Sequence, residues 1–140
     1  MGKKPQIRFE EIEHTADNAL LVYGRSWEEL LKNAAHGMNS LMATDVSALD
    51  AQTQKQASVE ALDAEGLLVE WLSELAYWAE KEQLVFTRFE FQHVTSTNAQ
   101  ATLLGGHVQQ LQKHIKAVTY HNLEIVKTDK GLKATVVFDV

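Results

Sequence analysis

The chain has 140 residues, no cysteine, and 19 acidic against 13 basic side chains, for a net charge of -6. That length suits one domain with a real core, while the missing cysteines exclude a disulfide framework, a thiolate zinc site and a cysteine nucleophile. The negative balance, with basic residues scattered rather than striped, opposes strong direct binding of nucleic acid.

The opening MGKKPQIRF lacks the apolar run of a signal peptide. No later stretch nears the roughly 20 apolar residues of a membrane helix, so a soluble cytoplasmic protein is expected. IRFEEIE, ending at Glu13, is only weakly patterned. After the connector HTAD, His14 to Asp17, the residues Ala19, Leu21 and Tyr23 alternate with Leu20 and Val22, the period of a strand. Ser26 is placed to cap a helix, with Glu29 three residues on completing a capping box by reaching back to the amide of Ser26. Trp27, Leu30, Leu31, Ala34, Met38 and Leu41 then recur at helical spacing as one apolar stripe.

Ala43 to Lys55 is polar and reads as a loop or the approach to a strand. Asp63 caps a second helix, whose stripe of Leu67, Leu68, Trp71, Leu72, Leu75, Trp78 and Ala79 is wider than the first. Its aromatic spacing is that of core packing rather than of a cofactor box. Next, Val85, Thr87, Phe89 and Phe91 share one face of a strand, with Phe86, Arg88, Glu90 and Gln92 on the other. ATLL at Ala101 to Leu104 continues the strand theme until Gly105 and Gly106 are expected to break it. Finally LEIVKT and LKATVVFDV, joined by Asp129, Lys130 and Gly131, form a hairpin. Two long helices and about five or six strands predict an α+β fold, a mixed or antiparallel sheet packed with two main helices in a single domain.

Asp17 follows a turn, where aspartate commonly accepts backbone amides and simply shapes the connector. Asp139 is less ordinary. Val137 and Asp139 share one face of the last strand while Val136, Phe138 and Val140 share the other, so a charge ends an apolar run. A terminal carboxylate on Val140 beside Asp139, joined by Asp17, makes an oxygen-rich pocket. Such a pocket requires a cation, because close like charges raise their own pKa values. Oxygen ligands suit a hard ion, Ca²⁺ first, with Mg²⁺ or Mn²⁺ as alternatives. His107, His114 and His121 recur every seven residues. On a straight helix that is a rise of about 10.5 Å, too far for neighbours to share one ion. Neither a phosphate-cradling loop nor a G-x-S-x-G elbow is present.

Four segments, in order and over nearly the whole chain, resemble the archease family: HTAD (His14 to Asp17), LLVEWLSEL (Leu67 to Leu75), HIKAVTYHNLEI (His114 to Ile125) and VVFDV (Val136 to Val140). The resemblance implies a non-catalytic activator of the GTP-dependent RNA ligase that joins phosphate-ended to hydroxyl-ended RNA in tRNA splicing and RNA repair. Such an activator promotes guanylylation of the ligase and its repeated turnover. The resemblance also implies metal binding at Asp17 and Asp139, assisted by the carboxylate of Val140, at an acidic tip that approaches the ligase. His14, Lys116 and His121 are then the expected partner contacts. The chain departs from the family pattern at His114, where an acidic residue is usual, and at Gly105, Gly106 and His107, which stand where the family has G-E-P-x-D. The family's second implied role is a chaperone-like modulator of a tRNA-modifying enzyme such as a tRNA methyltransferase. A stand-alone metallohydrolase ranks last, since no general base or nucleophile accompanies the carboxylates.

Overall fold

The computed structural model describes residues 8–13, 18–43 and 52–140. Among these, two helices and eight strands follow the order β1 (Phe9–Glu13), β2 (Asn18–Gly24), α1 (Trp27–Met42), β3 (Thr53–Glu60), α2 (Ala64–Glu82), β4 (Leu84–Val94), β5 (Asn98–His107), β6 (Ala117–Thr119), β7 (Ile125–Thr128) and β8 (Gly131–Asp139). The α+β expectation holds, and every pairing is antiparallel. One sheet runs β1-β2-β8-β6, with β7 also paired to β8, and the other runs β3-β5-β4.

Both helices start as the sequence predicts. The Ser26 hydroxyl accepts from Glu29 N at 3.2 Å, and the Asp63 carboxylate accepts from Gly66 N at 2.7 Å, each satisfying a first-turn amide that has no helical partner. The return half of the capping box differs from expectation. Glu29 Oε1 accepts from the amide of Arg25 at 3.1 Å, one residue earlier than Ser26.

Helix α1 lies on β1, β2 and β8 and also meets β4, whereas α2 lies on β3, β4 and β5 and also meets β6. Between them one hydrophobic cluster takes side chains from both helices and both sheets, with Trp71, Phe86 and Phe138 among the largest fully buried members. Burial of a side chain of this kind contributes roughly 1.5–3 kcal/mol. The Trp71 indole N–H enters this interior with its partner supplied, donating to the Leu31 carbonyl at 2.9 Å. Trp27 and Trp78, both on the expected stripes, are only partly buried at the rim of the cluster.

The β-sheet expectations needed two corrections. The stretch Ala43 to Lys55, read as a loop or the approach to a strand, does reach a strand, since its described end enters β3, whose inward positions Thr53 and Lys55 hide its alternation. Lys55 manages this because its ammonium sits 4.3 Å from the centroid of the Trp78 ring. Gly105 and Gly106 do not end β5 but lie inside it. A Cβ on Gly105 would stand 2.1 Å from the Val85 carbonyl oxygen, so the glycine permits the close pairing of β4 and β5. Finally, Phe86 belongs to the buried face, not the outer one. The register of β4 on β5 slips between Phe86 and Arg88, and a bulge of one residue reverses the alternation there. Phe86, at 2 % exposure, therefore faces the same core as Phe89 and Phe91.

Candidate functional site

The five-stranded sheet gathers several chain segments at the end where β8 finishes. Asn18, the first residue of β2, pairs with Phe138, and Ala117, the first of β6, pairs with Asp139. The strand-end aspartate is thereby flanked on one side by the start of β2 and on the other by the start of β6. Phe138 is fully buried while Asp139 and Val140 are exposed, so the apolar run anchors the strand and delivers its last two residues to the surface.

The segment 108–116, which carries no helix or strand, is held against this end by named contacts. Leu111 and Ile115 are buried in the core, and Gln112 N donates to the Met42 carbonyl at 2.6 Å, closing the C-terminal end of α1. This anchoring sets the charged residues between them. Lys113 Nζ donates to Asn18 Oδ1 at 2.6 Å, and the Lys116 backbone N–H donates to the Asp139 carbonyl at 2.8 Å. His114 Nδ1 lies 2.8 Å from Glu80 Oε2, so the residue that departs from the family pattern meets a carboxylate on α2.

Lys116 and Asp139 are brought together, then, through the backbone. His121 is not with them. It lies in the turn beyond the far end of β6, where its backbone N–H donates to Thr119 Oγ1 at 3.3 Å and its Nε2 lies 3.3 Å from Asn122 Nδ2. The Leu123 N–H donates to the Tyr120 carbonyl at 3.1 Å to close that turn, with Asn122 at φ 52°. His14 and Asp17 lie outside the described residues. The histidines at 107, 114 and 121 sit at the end of β5, in the irregular segment and in a turn, so the helix on which their spacing was weighed is not there. Among the described residues no group of three or more His, Asp or Glu side chains could hold a metal ion.

Lys113 and Asn18 were missed as members of this corner. Their contact spans 95 positions of sequence, and neither residue stands in a local pattern that advertises it. The same holds for Glu80, which reads simply as a solvated helix position until His114 is folded onto it.

The chain matches the profile of the Archease protein family over residues 9–140. It is 37% identical to a Methanosarcina mazei protein named archease, over 99% of this chain and 97% of that one. It is 32% identical to the archease of Methanothermobacter thermautotrophicus, over 94% and 98% of the two chains. The solution structure of Methanobacterium thermoautotrophicum protein 1598 superposes with a TM-score of 0.78 at 30% identity, covering 94% of this chain and 98% of that one. A Thermotoga maritima archease, described as a possible chaperone, shares the fold with a TM-score of 0.66 at 24% identity, over 100% and 98% of the chains.

Proposed function

Because the chain belongs to the archease family, we propose that it is a non-catalytic protein activator of a GTP-dependent RNA ligase. In this reading it promotes ligase guanylylation and multiple turnover in tRNA splicing and RNA repair. The site is the acidic tip, with Asp17, Asp139 and Val140 as metal ligands and His14, Lys116 and His121 toward the partner.

The observation that supports this most is the position of Asp139. It is exposed at the end of β8, one residue past Phe138, and Phe138 pairs with Asn18, to which Asp17 is covalently bonded. Adjacent strands stand about 4.8 Å apart, the scale on which two carboxylates share one cation. The donor set also fits: the Asp139 carboxylate forms no ion pair among the described residues, and a carboxylate set suits a hard ion such as Ca²⁺, with Mg²⁺ or Mn²⁺ as alternatives. A bound divalent cation would supply positive charge to an otherwise repulsive cluster. The chain's own part is to hold the carboxylates at a rigid strand end, with the Lys116 amide and β2 fixing the backbone on either side.

The test is guanylylation of the cognate ligase with wild type, Asp17→Ala and Asp139→Ala, after circular dichroism shows all three folded. Stimulation by wild type that is lost in both variants is expected. Equal stimulation by all three would remove the acidic tip from the function. The second reading, a chaperone-like modulator of a tRNA-modifying enzyme such as a tRNA methyltransferase, takes its support from the description of the Thermotoga maritima protein. It requires a complex with such an enzyme that survives both substitutions.

A further inference from the structure

At the start of β8 a row of three residues, Lys127, Leu132 and Gly24, crosses from β7 through β8 to β2. Residues directly opposite share a face, so Lys127 lies on the side of the sheet where Leu132 is buried in the core. Ile125, two residues earlier on that face, packs against the core, but Lys127 stands past it and is exposed. Together with Arg25 and Trp27 at the start of α1 and Lys130 in the β7–β8 turn, it lines a cleft of about 590 Å³ that reaches down to Leu132.

We propose that this cleft binds a nucleotide, with its phosphates held by Arg25, Lys127 and Lys130 and its base laid on Trp27. The site is separate from the acidic tip. Gly131 and Asp139 are opposite ends of β8, and the eight steps of strand between them span about 27 Å.

Charge argues for an anion. Three cations and one carboxylate, Asp129, line the cleft, which leaves it at +2 in a chain of net charge -6. None of the three cations forms an ion pair among the described residues, whereas Lys81 and Lys113 are engaged by the Tyr77 hydroxyl and Asn18 Oδ1, and Lys55 by the Trp78 ring. Lys127 and Gly24 flank Leu132, so Lys127 and the backbone that leads into Arg25 stand two strand spacings, roughly 10 Å, apart. A phosphate between them meets the planar fork of an arginine on one side and the point charge of a lysine on the other. The attraction is that of the side chains, because the helix start is already capped: Ser26 Oγ accepts from Glu29 N, and Glu29 Oε1 accepts from Arg25 N.

The frame is fixed before any ligand arrives. A Cβ on Gly131, which has φ 135°, would fall 2.3 Å from the Gly24 carbonyl oxygen and 2.8 Å from the Arg25 Cα, so the β7–β8 turn lies directly on the entry to α1. Within the turn, Lys130 N donates to Thr128 Oγ1 at 3.2 Å, and that hydroxyl donates to the Gly131 carbonyl at 3.4 Å. Like charges mounted together on such a frame repel, and a bound anion relieves them.

Size and the aromatic ring extend the ligand beyond a bare phosphate. Small-molecule pockets occupy roughly 300–1,000 Å³, a range that includes this cleft. Trp27, partly buried at the rim of the core, meets no other ring and no cation among the described residues. It also walls a neighbouring cleft of about 330 Å³ with Phe91 and Val94. A flat indole beside a cationic pocket is the combination that takes a base together with its phosphate.

The experiment titrates isotope-labelled protein, free of divalent metal, separately with ADP, inorganic pyrophosphate, adenosine and a capped hexaglutamate peptide. Stacking tolerates any base, so ADP is a sufficient probe. ADP should shift the amides of residues 24–27 and 127–132 and the Trp27 indole signal, bind about fivefold or more tighter than pyrophosphate, and weaken with salt, while adenosine gives no response. Lys127→Gln and Lys130→Gln, both at exposed positions, should each weaken ADP by about fivefold, the upper end for a surface charge pair. Trp27→Leu should lower ADP to the affinity of pyrophosphate and leave pyrophosphate unchanged. Equal affinity of wild type for ADP and pyrophosphate would overturn the nucleotide assignment, as would shifts elsewhere, no binding, or indifference to both lysine substitutions. Hexaglutamate binding as well as ADP would also overturn it, and would make the cleft a docking surface for an acidic protein. Asp139→Ala should bind ADP as wild type does, so failure of the tip and failure of the cleft are read separately.

Discussion

Asn39, buried on α1, donates through Nδ2 to the carbonyl oxygen of Phe86 at 2.6 Å. That carbonyl sits where the register of β4 slips on β5, and a bulge interrupts the ladder there. A buried polar side chain on one helix thus supplies a hydrogen bond at the irregularity that turns Phe86 into the core. Asn39→Ala removes this buried donor from the Phe86 carbonyl, at a cost of about 1–3 kcal/mol. Urea unfolding should show a lower midpoint with an unchanged slope. A midpoint within error of wild type would mean the bulge does not depend on this bond.

Gly105 stands across the same bulge. Because its Cβ would fall 2.1 Å from the Val85 oxygen and 2.7 Å from the Phe86 Cα, the obstacle is backbone and cannot swing aside. Gly105→Ala should destabilise by about 2 kcal/mol or more, as overpacking against fixed atoms does. Thermal unfolding is the measure, and a neutral substitution would show that β4 and β5 are free to separate locally.

His36, on α1, meets the Phe89 ring edge-on at 5.4 Å between centroids. Burial, and then the charges of Arg8 and Lys32, hold its pKa below the ordinary value. The folded state therefore takes up this proton less readily than the unfolded chain. Its stabilising effect is present above the unfolded value of about 6.5 and is lost as pH falls from there through the lower folded value. Between pH 7.5 and 5 wild type should lose more stability than His36→Gln, read by urea midpoints at each pH. Parallel pH profiles would show that His36 is solvated in both protonation states.

Calcium should stabilise the protein if the tip holds it. At a hundredfold excess over its dissociation constant the gain is about 2.7 kcal/mol, reversed by a chelator. Asp139→Asn should abolish the calcium-dependent rise in unfolding temperature while leaving the chelated value unchanged. No rise with Ca²⁺, Mg²⁺ or Mn²⁺ in wild type would end the metal reading.

The parts of the molecule legible from its sequence are those with local causes. Ser26 and Asp63 mark helix starts because a cap and the amide it satisfies lie within three residues. The stripes of α1 and α2 predict a buried face because helical period is a local property. VVFDV likewise reads as a strand whose apolar run ends in a charge, and β8 does end at an exposed Asp139. Strand β3 stayed hidden because Lys55 faces inward, and only the fold supplies the Trp78 ring that makes this tolerable. Phe86 was placed on the wrong face because a bulge is a relation between two strands, invisible in one of them.

For the site, the sequence by itself nominated Asp17 and Asp139 and, through its resemblance, the family to which the chain belongs. Only the tertiary structure decided that Asp139 stands beside the start of β2, that Lys113 reaches Asn18, and that Lys116 joins this corner while His121 does not. The physical reason is separation along the chain. Contacts such as Lys113 to Asn18 join residues 95 positions apart, and their existence depends on sheet order and on the packing of Leu111 and Ile115, which no local pattern encodes.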